Sequence, residues 1–190
     1  MGMAVICIFG DSITWGAYDL ELGGWANRLK IYFDNKGDYV TDVYNLGVSG
    51  DNVSDVLKRF DVEAQARTPD TIILAIGIND SSDPSSPQGT NFSKFESEFK
   101  QLLEKSHKYT KRIIIVGLTN VDEESGNHGY KNSSIEKYDE IIKTISVNEN
   151  LSFVDLFKSL IKEDLVDGLH PNANGHRKIF EKIKEFVVGN

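Results

Sequence analysis

Cysteine occurs once in the 190 residues, at position 7, so no internal disulfide can form and no cysteine-rich metal site exists. Cys7 sits inside an apolar run, where a thiol reads as a small buried hydrophobe. Long hydrophobic runs are also missing; none approaches the ~18 residues of a membrane span. Proline is scarce, and its four copies (Pro69, Pro84, Pro87, Pro171) leave long segments free to form strands and helices. Basic residues are the minority, 21 Lys and Arg against 29 Asp and Glu; with a net charge of −8 and no basic cluster, a nucleic-acid partner is not expected. The histidines (His107, His128, His170, His176) show no His-Glu-x-x-His spacing, so no metal is expected. No basic leader precedes the first apolar run, and the expected location is cytoplasmic, although a removed signal would leave no trace in this sequence.

What is present is a soluble composition, 39% hydrophobic and 26% charged, in a length that suits a single domain over residues 1–190. The apolar run Met3-Ala4-Val5-Ile6-Cys7-Ile8 is followed by four more, at 40–46, 71–76, 112–118 and 151–154. Short runs rich in β-branched residues read as parallel strands buried on both faces. Between them, apolar residues recur three or four apart: Trp25, Leu29 and Phe33; Phe92, Phe95, Phe99, Leu102 and Leu103; Ile135, Tyr138, Ile141, Ile142 and Ile145; and last Ile179, Phe180, Ile183 and Val187. Such stripes are the core faces of helices. Alternating strands and helices with right-handed crossovers give an α/β fold, a three-layer α/β/α sandwich around about five parallel strands.

Chemistry-bearing residues cluster where strands end. Gly10-Asp11-Ser12-Ile13 follows the first strand, at the sheet edge where open α/β folds bind ligands. Ser12 is the candidate nucleophile and Asp11 is expected to be structural. A serine hydroxyl needs an imidazole to take its proton, and the imidazole needs a carboxylate to fix its tautomer. Asp167-Gly168-Leu169-His170-Pro171 supplies both, with Pro171 biasing His170 away from helical geometry. Val48-Ser49-Gly50-Asp51 follows the second strand and Gly77-Ile78-Asn79-Asp80 the third. The backbone N–H of Gly50, the Asn79 amide and the Ser12 N–H can converge on a developing oxyanion. Each motif alone also reads as an ordinary turn or cap; the four together, in this order, read as a site.

With its four blocks, the chain resembles the SGNH/GDSL hydrolases, the GDSL-like lipases and acylhydrolases, from the first strand to the last helix. Position 13 holds isoleucine where the family name has leucine. The resemblance implies a flavodoxin-like five-stranded parallel sheet in the order 2-1-3-4-5. It also implies a serine esterase in which Ser12, His170 and Asp167 form the catalytic triad and Ser12, Gly50 and Asn79 the oxyanion hole. The expected partner is a small-molecule ester, with short acyl groups or acetylated carbohydrates favoured, and no cofactor is needed. A non-catalytic binding module or an acyltransferase on the same fold are the alternatives.

The residues that line the substrate pocket, and the oligomeric state, are not legible at this stage. The polar stretches 81–90 and 120–134 are expected to overhang the site. Trp15 and Trp25 read as packed aromatics, with a pocket wall or sugar stacking as the alternative; His128 and Tyr130 read as loop filler, with substrate contact as the alternative; and His176 reads as a surface or packing residue. A P-loop, a Gly-x-Gly-x-x-Gly dinucleotide fingerprint and a Gly-x-Ser-x-Gly elbow are all absent.

Overall fold

The computed structural model describes residues 4–37, 40–125 and 129–189. Five parallel strands, β1 (Ala4–Gly10), β2 (Thr41–Gly47), β3 (Thr71–Ala75), β4 (Arg112–Val116) and β5 (Ser152–Val154), form one sheet in the order β2-β1-β3-β4-β5. The helices are α1 (Ser12–Trp15), α2 (Gly24–Asn35), α3 (Val53–Arg67), α4 (Phe92–His107), α5 (Asn132–Asn148) and α6 (Ala173–Val188). α2 packs with α6, whereas α3 meets α4 and α4 meets α5, so the helices form two groups, the outer layers of the sandwich.

The periodicities anticipated on α2, α4, α5 and α6 supply the core together with α3, for which no apolar stripe was expected. Phe60 from α3, Phe95 and Phe99 from α4, and Trp25 from α2 are fully enclosed around the sheet residues Ile8, Phe9, Ile72, Ile73 and Leu74. Each such side chain contributes about 1.5–3 kcal/mol on leaving water. Cys7 is also buried, and burial pushes its thiol up to about 11, which leaves it inert.

Each strand differs from its apolar run by one or two residues at one end or both. The fourth strand stops at Val116, short of Leu118, because the Leu118 N–H turns to the Asp139 carboxylate at 2.7 Å. Four residues after Asp11 form α1, too short for any periodicity to announce it.

The sheet order places the site. Connections leave β1 toward β2 on one side and then return to β3 on the other, opening a crevice at the carboxyl ends of β1 and β3. Gly10, the last residue of β1, makes the close approach possible: a Cβ there would lie 2.1 Å from Thr14 Oγ1 and 2.5 Å from the Ala75 carbonyl oxygen.

Candidate active site

Ser12 opens α1. Asp11 caps that helix, its Oδ1 accepting from the Ile13 N–H at 2.9 Å, and Gly16, with φ 101°, closes it by donating to the Ser12 carbonyl. The serine is thereby held just beyond β1, its Oγ 2.9 Å from His170 Nε2.

His170 lies 158 residues further along the sequence. Asp167 binds the turn with one oxygen, Oδ1 accepting from the Leu169 and His170 N–H groups at 3.0 and 2.8 Å. Its other oxygen, Oδ2, lies 2.8 Å from His170 Nδ1. Desolvation alone would raise the Asp167 pKa, but the His170 N–H, the imidazole and the Leu169 N–H outweigh it and hold the group below the usual carboxylate range. A carboxylate facing Nδ1 favours the tautomer protonated there, which leaves the Nε2 lone pair toward the serine hydroxyl.

Gly50 and Asn79 complete the crevice. Gly50 adopts φ 87°, and nothing stands within 4 Å of where a side chain would begin. The Asn79 amide donates one Nδ2 hydrogen to the Asp51 carbonyl at 2.8 Å, tying the third-strand motif to the second. Asp80 makes a second tie by accepting from the Val53 N–H at 3.1 Å, at the amino end of α3. Burial pushes Asp80 up to about 7 and Asp11 likewise. Arg59 clamps the same turn from below, bonding Asp51 at 2.8 Å and the Gly10 carbonyl at 3.3 Å.

Ser12, His170, Gly50 and Asn79 line one cavity of about 290 Å³, together with Tyr130 and with Ser82, Asp83, Ser86 and Gln88 from the expected overhang. A separate groove of about 400 Å³ between α4 and α5 is lined by Phe92, Ile141, Lys137 and Glu140, with no Ser, Cys or His among the described residues that line it. Three groups differ from their sequence reading or extend it. Tyr130 is not loop filler: it is 7% exposed, and its hydroxyl donates to Asn79 Oδ1 at 2.8 Å. Trp15 is not packed but 59% exposed, because α1 ends too soon to press it against a neighbour, whereas Trp25 is in the core. His176 is a buried strut, with Nε2 donating to the Ala17 carbonyl and Nδ1 accepting from the Trp25 N–H; desolvation lowers its pKa and keeps it neutral. His128 lies outside the described residues. Among the described residues no group of three or more His, Cys, Asp or Glu is placed to hold a metal ion.

The family model described as GDSL-like lipase/acylhydrolase matches residues 8–178, spanning all four motifs. The chain belongs to this family. Among curated relatives of this GDSL-like chain, a multidomain esterase of Ruminococcus flavefaciens is 26% identical over 99% of the chain, and an acetylxylan esterase of Geobacillus stearothermophilus is 26% identical over 70%. The chain spans 29% of the length of the first and 66% of the second. The crystal structure of the Geobacillus stearothermophilus acetylxylan esterase superposes with a TM-score of 0.82 at 21% identity, covering 98% of this chain and 95% of the other. An α/β hydrolase from the metagenome of Lake Arreo, Spain, gives 0.81 at 19%, covering 98% and 96%. Likenesses at this identity establish the fold that this family member shares.

Proposed function

We propose that the chain is a serine esterase that cleaves carboxylic esters through an acyl-enzyme. The observation that carries this reading is the unbroken line from Asp167 through His170 to the Ser12 hydroxyl, at 2.8 and 2.9 Å, opening on a cavity that Gly50 and Asn79 also line. In the first half-reaction the Ser12 proton passes to His170 Nε2 as Oγ bonds to the substrate carbonyl carbon. The carbonyl π electrons move onto oxygen, which the N–H groups of Ser12 and Gly50 and the remaining Asn79 amide hydrogen stabilise. Collapse of that intermediate breaks the bond to the alkoxy group, which leaves with the proton from His170. Water then repeats the sequence, giving up its proton to His170 and releasing the carboxylic acid. Asp167 stays ionised throughout and supports the imidazolium.

The cavity lining supports a short acyl group on a neutral, hydroxyl-rich alcohol, such as an acetylated carbohydrate. Serines, a glutamine and one carboxylate, Asp83, make up its outer wall, and among the described residues no Lys or Arg lines it. Hydroxyl and amide groups of this kind suit a neutral, hydroxyl-rich alcohol. The similarity to a protein named acetylxylan esterase supports the same class.

A fluorophosphonate probe should label Ser12, and Ser12→Ala should abolish both labelling and the turnover of p-nitrophenyl acetate. Undiminished turnover in that variant, or a wild-type protein that binds esters without labelling, would overturn the assignment. A panel running from acetyl to octanoyl esters and acetylated xylosides should show preference for the acetyl group.

A further inference from the structure

We infer that Tyr130 is a positioning residue for the oxyanion hole, acting through the Asn79 carboxamide; the inference rests on the esterase reading above. An amide side chain can present either its oxygen or its nitrogen to a pocket, and its terminal torsion is soft. Two contacts define Asn79. Nδ2 donates to the Asp51 carbonyl, and Oδ1 accepts from the Tyr130 hydroxyl, each at 2.8 Å. Together they fix the amide plane and commit the second Nδ2 hydrogen, the one not bound to Asp51, to the cavity shared with Ser12 and His170. The phenol also withdraws electron density from the amide oxygen, and hydrogen bonds in such a chain strengthen one another.

Asn132, two residues after Tyr130, is tied to Val121: the Val121 N–H donates to its Oδ1 and its Nδ2 returns to the Val121 carbonyl, at 2.9 and 2.8 Å. The neighbouring Asp122 N–H bonds the Gly168 carbonyl at 2.8 Å, inside the turn that presents His170. These bonds connect the surroundings of Tyr130 to the histidine turn. Burial pushes the phenol up to about 12, so Tyr130 remains a donor over the working pH range of an esterase.

A double-mutant cycle on an acetyl ester tests the role. Removing an oxyanion donor costs about 10²–10³-fold in kcat, which is the effect expected of Asn79→Ala. Tyr130→Phe removes one oxygen atom and should lower kcat about tenfold with KM changed less than about twofold. On the Asn79→Ala background the same substitution should cost less than about twofold, because the group it orients is gone. A boronic acid that forms a tetrahedral adduct on Ser12 should bind about tenfold more weakly to Tyr130→Phe, while inhibition by the product carboxylate is unchanged. An additive loss in the double variant, an unaltered kcat in Tyr130→Phe, or equal weakening of both inhibitors would overturn the inference. Retained activity in Ser12→Ala would instead defeat the esterase reading, whatever Tyr130 does.

Discussion

Replacing Asp11 by asparagine should flatten the dependence of stability on pH. Asp11 is almost entirely enclosed, at 2% exposure, at the head of α1. Helix N–H groups there favour an anion, and the Ile13 N–H binds Oδ1 directly. Desolvation is the larger effect and pushes the pKa from 3.8 up to about 7. An acid whose folded pKa exceeds its unfolded value is more protonated when folded, so stability falls as pH rises from the unfolded value through the folded one. Between pH 5 and pH 8 that linkage comes to about 2–3 kcal/mol at ~1.4 kcal/mol per pKa unit. Asparagine keeps a carbonyl oxygen for Ile13 and cannot ionise. Asp80 and Asp139, raised to about 7 and about 6, act in the same direction but are common to both proteins and cancel in the comparison. Urea unfolding followed by far-UV circular dichroism at the two pH values reads the difference directly. Wild type should lose about 2–3 kcal/mol more than Asp11→Asn on going from pH 5 to pH 8. Parallel pH profiles for the two proteins would show that Asp11 ionises normally in the fold and would refute the reasoning.

Two further outcomes follow from the geometry. Asp167→Asn keeps an oxygen for the Leu169 and His170 N–H groups but removes the charge beside Nδ1; kcat for p-nitrophenyl acetate should drop by about 10³–10⁴-fold with the melting temperature nearly unchanged, and a drop below tenfold would count against the triad. Arg28→Ala should destabilise by about 3–5 kcal/mol in urea unfolding, because it leaves Asp19, fully enclosed and 2.9 Å from the guanidinium, without its counter-charge. A cost below about 1 kcal/mol would mean that the Gly24, Leu22 and Glu21 N–H groups suffice alone to hold that carboxylate below its usual pKa.

The parts of the fold legible in the sequence are those where one pattern answers to one environment. Strands such as Thr71–Ala75 are enclosed on both faces, so an apolar run marks them, and the helical stripes on α4 and α5 face the core except at the exposed Phe92 and the half-buried Ile141, which line the groove between those helices. The order of the strands came from the resemblance that the four motifs carry, since periodicity has no means of distinguishing β2-β1-β3 from β1-β2-β3. The motif residues Ser12, Gly50, Asn79, Asp167 and His170 come together on one cavity or beside it because the first three follow closely on the ends of β1, β2 and β3, and the last two lie in the turn that leads into α6. Tyr130 was not legible because its partner is 51 residues distant and its neighbours are polar loop residues, so no local spacing reveals the bond. Arg59 was hidden likewise within a regular helix, its guanidinium serving a turn that precedes that helix. Trp15 misled because large aromatics usually pack, and a helix of four residues gives it nothing to pack on.

The hydroxyl of Ser12 and the imidazole of His170 meet across 158 residues, the first from a middle strand and the second from beyond the edge strand β5. During synthesis the serine leaves the ribosome 158 residues ahead of that imidazole and has no such partner for its proton until all five strands have been made. On the proposed mechanism, reactivity toward an acylating probe is therefore a timer for completion of the fold.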